Sequence, residues 1–266
     1  RFSEGMLKGQ SFGNLFLAAM NGISTSFEEA VQRMSEVLAV TGRVLPVSLD
    51  DINLCAELED GYVICGESKI TSHNSFHRGR IKRVYLEPQR AKPLEDAVNA
   101  IMEADAVVLG PGSLYTSIIP NLLVSGMRDS IEASDALKIY VCNVMTQPGE
   151  TDGYSAYDHL DAIFSHSAAG LVNCCIINTA PIPGQLERKY LKDGAERVRM
   201  DSSRIKTSGV KIYAGSYVSI KGGYVRHDSQ KLARTVMDIV LKKASEENKK
   251  GIIDYYSAKD KLKSSM

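Results

Sequence analysis

Two loop signatures concentrate the residues that could do chemistry. The first, Gly110-Pro111-Gly112-Ser113-Leu114-Tyr115-Thr116-Ser117, follows the apolar run 106–109. Its glycines let a backbone approach a ligand, and Ser113, Thr116 and Ser117 add hydroxyls where a following helix would offer free N–H groups to an anion. That suits a phosphate or a nucleotide. It also suits a tight strand-to-helix turn with capping hydroxyls, because the segment is neither the P-loop nor the dinucleotide fingerprint. The second, Asn143-Val144-Met145-Thr146-Gln147-Pro148-Gly149-Glu150-Thr151-Asp152, follows the apolar run 139–142. Pro148-Gly149 favours a turn. The amide, hydroxyls and carboxylates around it could meet a base, a sugar or a metal-phosphate; a solvated loop capping the next helix is the plain alternative. Strands that end this way place polar groups at the carboxyl edge of a sheet, where open α/β sheets bind ligands.

Other groups carry weaker signals. Gly13-Asn14 reads as a helix cap or as an amide beside a ligand. Glu150 and Asp152 could hold Mg²⁺. Asp158-His159 opens a helix, where adjacent residues do not face each other, so cap or surface roles are expected. In Arg226-His227-Asp228, Arg226 could clamp a phosphate bidentately or sit in a surface ion pair, and Asp228 could cap the last helix. His73, His77 and His166 receive no role, and no Ser/His/Asp or Cys/His arrangement follows from spacing.

The elements that must position these groups alternate. Residues 15–20 read as a short buried helix. A cleaner helix begins at Ser26, with Glu29 at capping-box spacing and Phe27, Ala30, Val31, Met34, Val37 and Leu38 on one face. Residues 43–48 and 53–59 look like strands, and Asp60-Gly61 is a hairpin turn before the strand 62–65. Residues 71–80 read as an exposed polar loop, followed by a strand at 81–86. From Leu94 onward helices (94–104, 117–124, 157–166) alternate with strands (106–109, 138–142, 171–178). The long amphipathic helix 229–245 closes the pattern, with a frayed polar tail. This predicts one three-layer α/β/α, Rossmann-like domain over residues 1–266, with a mostly parallel sheet and a β-hairpin embellishment.

Bulk properties narrow the class. The 266 residues are 44% hydrophobic and 24% charged, with 32 basic against 32 acidic side chains. This balance gives no support to a nucleic-acid or anionic-membrane surface, and no apolar run is long enough to span a membrane. Cys55, Cys65, Cys142, Cys174 and Cys175 are odd in number and contain no C-x-x-C pair. Reduced, buried thiols in a cytosolic protein are therefore expected, with neither a disulfide nor a zinc site. The opening Arg1-Phe2-Ser3-Glu4 lacks an initiator Met and reads as the start of a fragment.

At the two loops the chain resembles the YvcK-type gluconeogenesis factors of the CofD-like superfamily. The resemblance extends from residues 9–14, through Gly42-Arg43-Val44-Leu45-Pro46 and Gly66-Glu67-Ser68, to Arg226-His227-Asp228. It implies a nucleotide pocket at the strand carboxyl ends of a Rossmann-like fold. It also implies a cytoplasmic bacterial protein that binds UDP-sugars such as UDP-N-acetylglucosamine, without turnover. Such a protein would act through protein partners in wall-precursor metabolism and support gluconeogenic growth and cell shape. The CofD branch implies the alternative, Mg²⁺-dependent transfer of a phospholactyl group from a nucleotide-activated donor to a deazaflavin alcohol. A scaffold with a vestigial pocket ranks last, and a homodimer is left open. Carried over by position, Asn14, Gly110, Gly112, Ser113, Thr116, Thr146, Gln147 and Asp152 should line the pocket, with Tyr190 stacking on base or sugar and Arg226 pairing with the diphosphate. Two departures stand out: the family's Gly-rich first turn is absent, and Gln10 stands where the family often has His, which removes acid-base chemistry there.

Overall fold

The computed structural model describes residues 2, 4–8, 10–39, 41–77 and 79–263. Helix α1 (Phe12–Ile23) is capped by Ser11, whose Oγ accepts the Asn14 N–H at 3.1 Å. Asn14 thus lies inside the helix and is not its cap. Only Met20 of α1 is buried, so the expected buried helix is largely exposed. Helix α2 (Phe27–Val37) starts at Ser26, which accepts the Glu29 N–H. Glu29 does not close the expected box; its carboxylate accepts the Thr25 N–H and hydroxyl, each at 2.6 Å. Of the apolar face, Ala30 and Val31 are buried while Phe27, Val37 and Leu38 are exposed.

The expected strand at 43–48 does not form. Its polar groups turn instead to the segment before the next helix: Val47 accepts the Leu94 N–H at 2.9 Å and the Ser48 hydroxyl donates to the Lys92 carbonyl at 2.6 Å. Strands β1 (Asn53–Leu58) and β2 (Val63–Cys65) form the hairpin over Asp60-Gly61, and its register sets Cys55 opposite Cys65. The two sulfurs are bonded, at a Cα separation of 4.1 Å. This corrects the expectation of free thiols for Cys55 and Cys65, because cross-strand partners meet through register and not through sequence spacing; Cys142, Cys174 and Cys175 are free and buried as expected. Helix α3 (Glu67–His77) replaces the loop expected at 71–80. Its polar sequence hides the helical period, and Ile70 is its buried anchor. Strand β3 (Ile81–Glu87) then completes an antiparallel sheet in the order β2-β1-β3.

The second half carries the parallel sheet. Helix α4 (Glu95–Met102) leads to β4 (Ala106–Leu109), and a π-helical turn (Leu114–Ile118) runs into α5 (Ile119–Leu123) and α6 (Met127–Ala133). The helix expected at 117–124 is split because Pro120 has no N–H to extend an α-ladder, and Ile118 bonds back five residues to Ser113. Then come β5 (Leu137–Val141), α7 (Ala156–His166), β6 (Cys174–Asn178), α8 (Gly184–Lys192), α9 (Ser202–Thr207), β7 (Lys211–Gly215), the hairpin β8 (Val218–Lys221) with β9 (Tyr224–His227), and α10 (Ser229–Lys263).

The parallel order is β4-β5-β6-β7. Sequential crossovers of one hand place the connecting helices on one face. Accordingly Tyr140, Cys175 and Ile177 pack in one core with Ile119, Leu160 and Ile163. The alternate residues Ile139, Val141, Cys174 and Ile176 point the other way, onto Leu232 and Ile239 of α10. Both strand faces are therefore buried, which is why these runs read as continuous hydrophobics. Helix α10 continues past the expected end at residue 245, since Lys, Glu and Ala there favour helix.

Candidate functional site

The two loops leave the carboxyl ends of neighbouring strands, since β4 pairs with β5 in parallel. Gly110 has φ +87°, and a Cβ there would meet the Val141 carbonyl at 3.2 Å and Ile118 Cδ1 at 3.1 Å. That glycine is required by the turn and by close packing alike. The loops are tied together where Asn143 Nδ2 donates to the Gly112 carbonyl at 2.9 Å.

Glu150 occupies the junction between them. It is 3% exposed. Its Oε1 accepts from Thr71 Oγ1 at 2.8 Å, Thr116 Oγ1 at 3.0 Å and Gln147 Nε2 at 2.6 Å. Its Oε2 is buried with no hydrogen-bond partner among the described residues. Burial raises its pKa above the ordinary carboxylate range, opposed by the hydroxyls of Thr71 and Thr116 and by the N–H groups of Tyr115 and Thr116 at the start of the π-turn. The helix start therefore faces an internal carboxylate.

The remaining loop is self-organised. The Gln147 N–H donates to Thr151 Oγ1 at 2.9 Å and the Gly149 N–H donates to Asp152 Oδ2 at 2.7 Å. Thr146 pairs with Glu196 through backbone and hydroxyl. The next helix is held by a capping box between Ser155 and Asp158. His159 beside it is fully buried, so the expected surface role is corrected; its Nδ1 lies 2.8 Å from the Ser155 carbonyl. His166 Nε2 accepts the Val84 N–H at 3.0 Å and joins α7 to β3.

Two cavities open along this edge and share Gln147 and Pro148 as a common wall. The smaller, of about 350 Å³, is lined by Thr146, Tyr190, Asp193, Arg226 and His227, among others. The larger, of about 850 Å³, is lined by Asn14, Thr71, Ser113 and Thr116 among others. Both volumes fall within or near the range of small-molecule sites. Tyr190 hydroxyl accepts the Val225 N–H at 3.0 Å, fixing the ring against β9. Arg226 lies 5.4 Å and Lys189 4.2 Å from the Tyr224 ring centroid. Among the described residues Arg226 has no carboxylate partner.

Comparison with known proteins decides the family. The model of the family described as 2-phospho-L-lactate transferase CofD matches residues 1–218. The Bacillus subtilis gluconeogenesis factor is 43% identical over 90% of this chain and 75% of its own length. A Thermoanaerobacterium thermosulfurigenes relative is 53% identical over 90% of this chain and 74% of its own. A crystal structure of a Bacillus halodurans protein superposes with a TM-score of 0.83 at 44% identity, covering 89% of this chain and 75% of that one. The chain belongs to the YvcK-type gluconeogenesis factors of the CofD-like superfamily. The parallel sheet flanked by helices is the architecture of that family.

Set in this gluconeogenesis-factor fold, the residues singled out by sequence fall into separate groups. Asn14, Ser113, Thr116 and Gln147 line the larger cavity, while Thr146, Gln147, Tyr190 and Arg226 line the smaller. Gly110 and Gly112 face a third cavity of about 550 Å³ beside β4, walled chiefly by aliphatic side chains such as Leu45, Val107 and Met127. Asp152 is exposed and lines neither of the two shared-wall cavities. Its Oδ2 is engaged by its own turn, while Glu150 Oε1 accepts from three donors. Among the described residues, the group of three metal-type ligands close enough to share an ion is Cys55, Cys65 and Glu87, whose two sulfurs are bonded to each other.

Sequence reasoning missed Thr71, because α3 shows no period, and His227, because a charged triplet reads as surface. His227 Nδ1 is buried and unpartnered, and burial lowers its pKa. The remaining thiols offer no nucleophile, since burial pushes Cys142 up to about 12 and Cys174 to about 11. No helix among the described residues is long and apolar enough to cross a membrane.

Proposed function

We propose that this gluconeogenesis factor is a cytoplasmic regulatory protein that binds a nucleotide-sugar of the UDP-N-acetylglucosamine type and acts through partner proteins in wall-precursor supply, without turnover. The observation that carries this reading is the pair of cavities at the carboxyl ends of β4 and β5. One offers an aromatic ring and an arginine that has no carboxylate partner among the described residues; the other offers hydroxyls and amides. A ligand with a charged diphosphate and a hydroxyl-rich sugar has the matching division.

The test is isothermal titration of the full-length protein with UDP-N-acetylglucosamine, GDP and GTP, with and without Mg²⁺. Metal-independent binding of the UDP-sugar alone is expected, weakened about tenfold or more by Arg226→Ala. No heat with the UDP-sugar would sink the proposal. A second reading, transfer of a phospholactyl-type group from a nucleotide-activated donor, is favoured by the match to the CofD transferase model. It predicts Mg²⁺-dependent binding of a guanine nucleotide and donor consumption in the presence of a deazaflavin alcohol. Stable nucleotide after long incubation would exclude it.

A further inference from the structure

The larger cavity is built from hydroxyls and amides, and among the described residues its wall carries no Lys or Arg. Asn14, Ser68, Thr71, Ser113, Thr116 and Gln147 stand there together with the carboxylate of Glu67. Behind this wall lies Glu150, buried, with three donors on one oxygen. The direction of those hydrogen bonds decides what the cavity can recognise. A threonine hydroxyl has a single proton and two lone pairs. Thr71 and Thr116 each direct that proton at Glu150, so what they have left to offer is lone pairs. Gln147 likewise directs one amide hydrogen inward. The N–H groups of Tyr115 and Thr116, which would otherwise favour an anion, are turned toward the same carboxylate. An anionic phosphate beside Thr71 and Thr116 would meet acceptors and a buried carboxylate, with no Lys or Arg among the described residues of the wall. A group rich in O–H and N–H donors would meet acceptors already oriented for it.

We infer that the larger cavity is the sugar subsite, in which the hydroxyls of Thr71 and Thr116 accept hydrogen bonds from ligand O–H or N–H groups and Glu150 is the positioning residue that keeps them acceptors. This rests on the nucleotide-sugar reading above and adds to it a direction. The sugar lies on the Thr71 and Thr116 side of the Gln147-Pro148 wall, and the diphosphate lies on the Arg226 side. Burial explains why a carboxylate does this work: a donor desolvated beside its charged Oε1 is strongly held.

The experiment titrates UDP-N-acetylglucosamine and UDP into the full-length protein and into Thr71→Val, Thr116→Val, Thr116→Ser and Glu150→Gln, with melting temperatures recorded in parallel. In the wild type the sugar nucleotide should bind about tenfold or more tightly than UDP. Each valine variant should lose about tenfold in affinity for UDP-N-acetylglucosamine and less than about twofold for UDP, in keeping with loss of a single buried hydrogen bond. Thr116→Ser, which keeps the hydroxyl, should retain the discrimination, and Glu150→Gln should reduce it. Equal losses for both compounds, or discrimination untouched by every variant, would overturn the assignment while leaving the nucleotide-sugar reading in place. Wild-type protein that binds neither compound would overturn that reading and this one together. Should the valine variants fail to fold, the wild-type comparison decides: UDP binding as tightly as UDP-N-acetylglucosamine overturns the subsite.

Discussion

Gly110 shows how much one residue can carry. Its φ of +87° strains any L side chain, and the Val141 carbonyl 3.2 Å from a notional Cβ would have to give by a few tenths of an ångström to admit one. Gly110→Ala should therefore cost about 1–3 kcal/mol, read as a lower denaturation midpoint. A variant as stable as the wild type would show that the turn relaxes freely. His159 makes a second case. Burial lowers its pKa from 6.5, and His166 and His227 are shifted the same way. With a lowered folded-state pKa, the unfolded chain takes up the proton first as pH falls through 6.5. The stabilising contribution of neutral, buried His159 is thus present at neutral pH and lost on acidification. Melts between about pH 7.5 and 5.5 should show falling stability, with a shallower slope in His159→Gln. An unchanged slope would assign the effect to the other two histidines. Glu150 has the opposite sign. Its raised pKa makes the folded state hold its proton longer, so its contribution falls as pH rises through the ordinary carboxylate value.

At the scale of elements, α10 determines whether the parallel sheet has a second covered face. Leu232 and Ile239 are 7% and 5% exposed and pack on Ile139, Val141, Cys174 and Ile176. Leu232→Ala or Ile239→Ala should each cost about 2–4 kcal/mol, because removing a buried aliphatic group leaves a cavity. Met237, on the outer side of the same helix at 55% exposed, is the control. Met237→Ala should stay within about 0.5 kcal/mol. Equal effects at the inner and outer positions would mean that α10 does not seal the sheet. The element boundaries near the site follow the same logic. The capping box of Ser155 and Asp158 fixes where α7 begins, and hence where the loop ending at Asp152 must close.

For the whole molecule, the candidate site is made from segments far apart in sequence. Thr71 comes from the helix that follows the antiparallel hairpin, Thr116 and Gln147 from the parallel sheet, and Tyr190 and Arg226 from elements beyond it. A ligand filling both cavities would bind only the folded arrangement. At about 100 times its Kd such a ligand should raise stability by about 2.7 kcal/mol. Thermal melts over a concentration series of UDP-N-acetylglucosamine read this directly. A midpoint independent of ligand concentration would argue against a preformed site.

The alternation of apolar runs with amphipathic helices, the hairpin at Asp60-Gly61 and the polar loops after 106–109 and 139–142 were legible in the chain itself. Each depends on local periodicity or turn chemistry, which survive without tertiary context. The loop motifs were specific enough to place the chain in its family. Other features were decided only by folding. Cys55 met Cys65 through strand register. The expected strand at 43–48 dissolved because its polar groups found partners before α4. Helix α3 formed where the sequence looked like a loop, with Ile70 entering the core. Above all, nothing in the spacing of Thr71, Thr116, Gln147 and Glu150 announces that they meet. A buried carboxylate selects its partners by proximity in space, and that proximity exists only once the antiparallel and parallel units have packed.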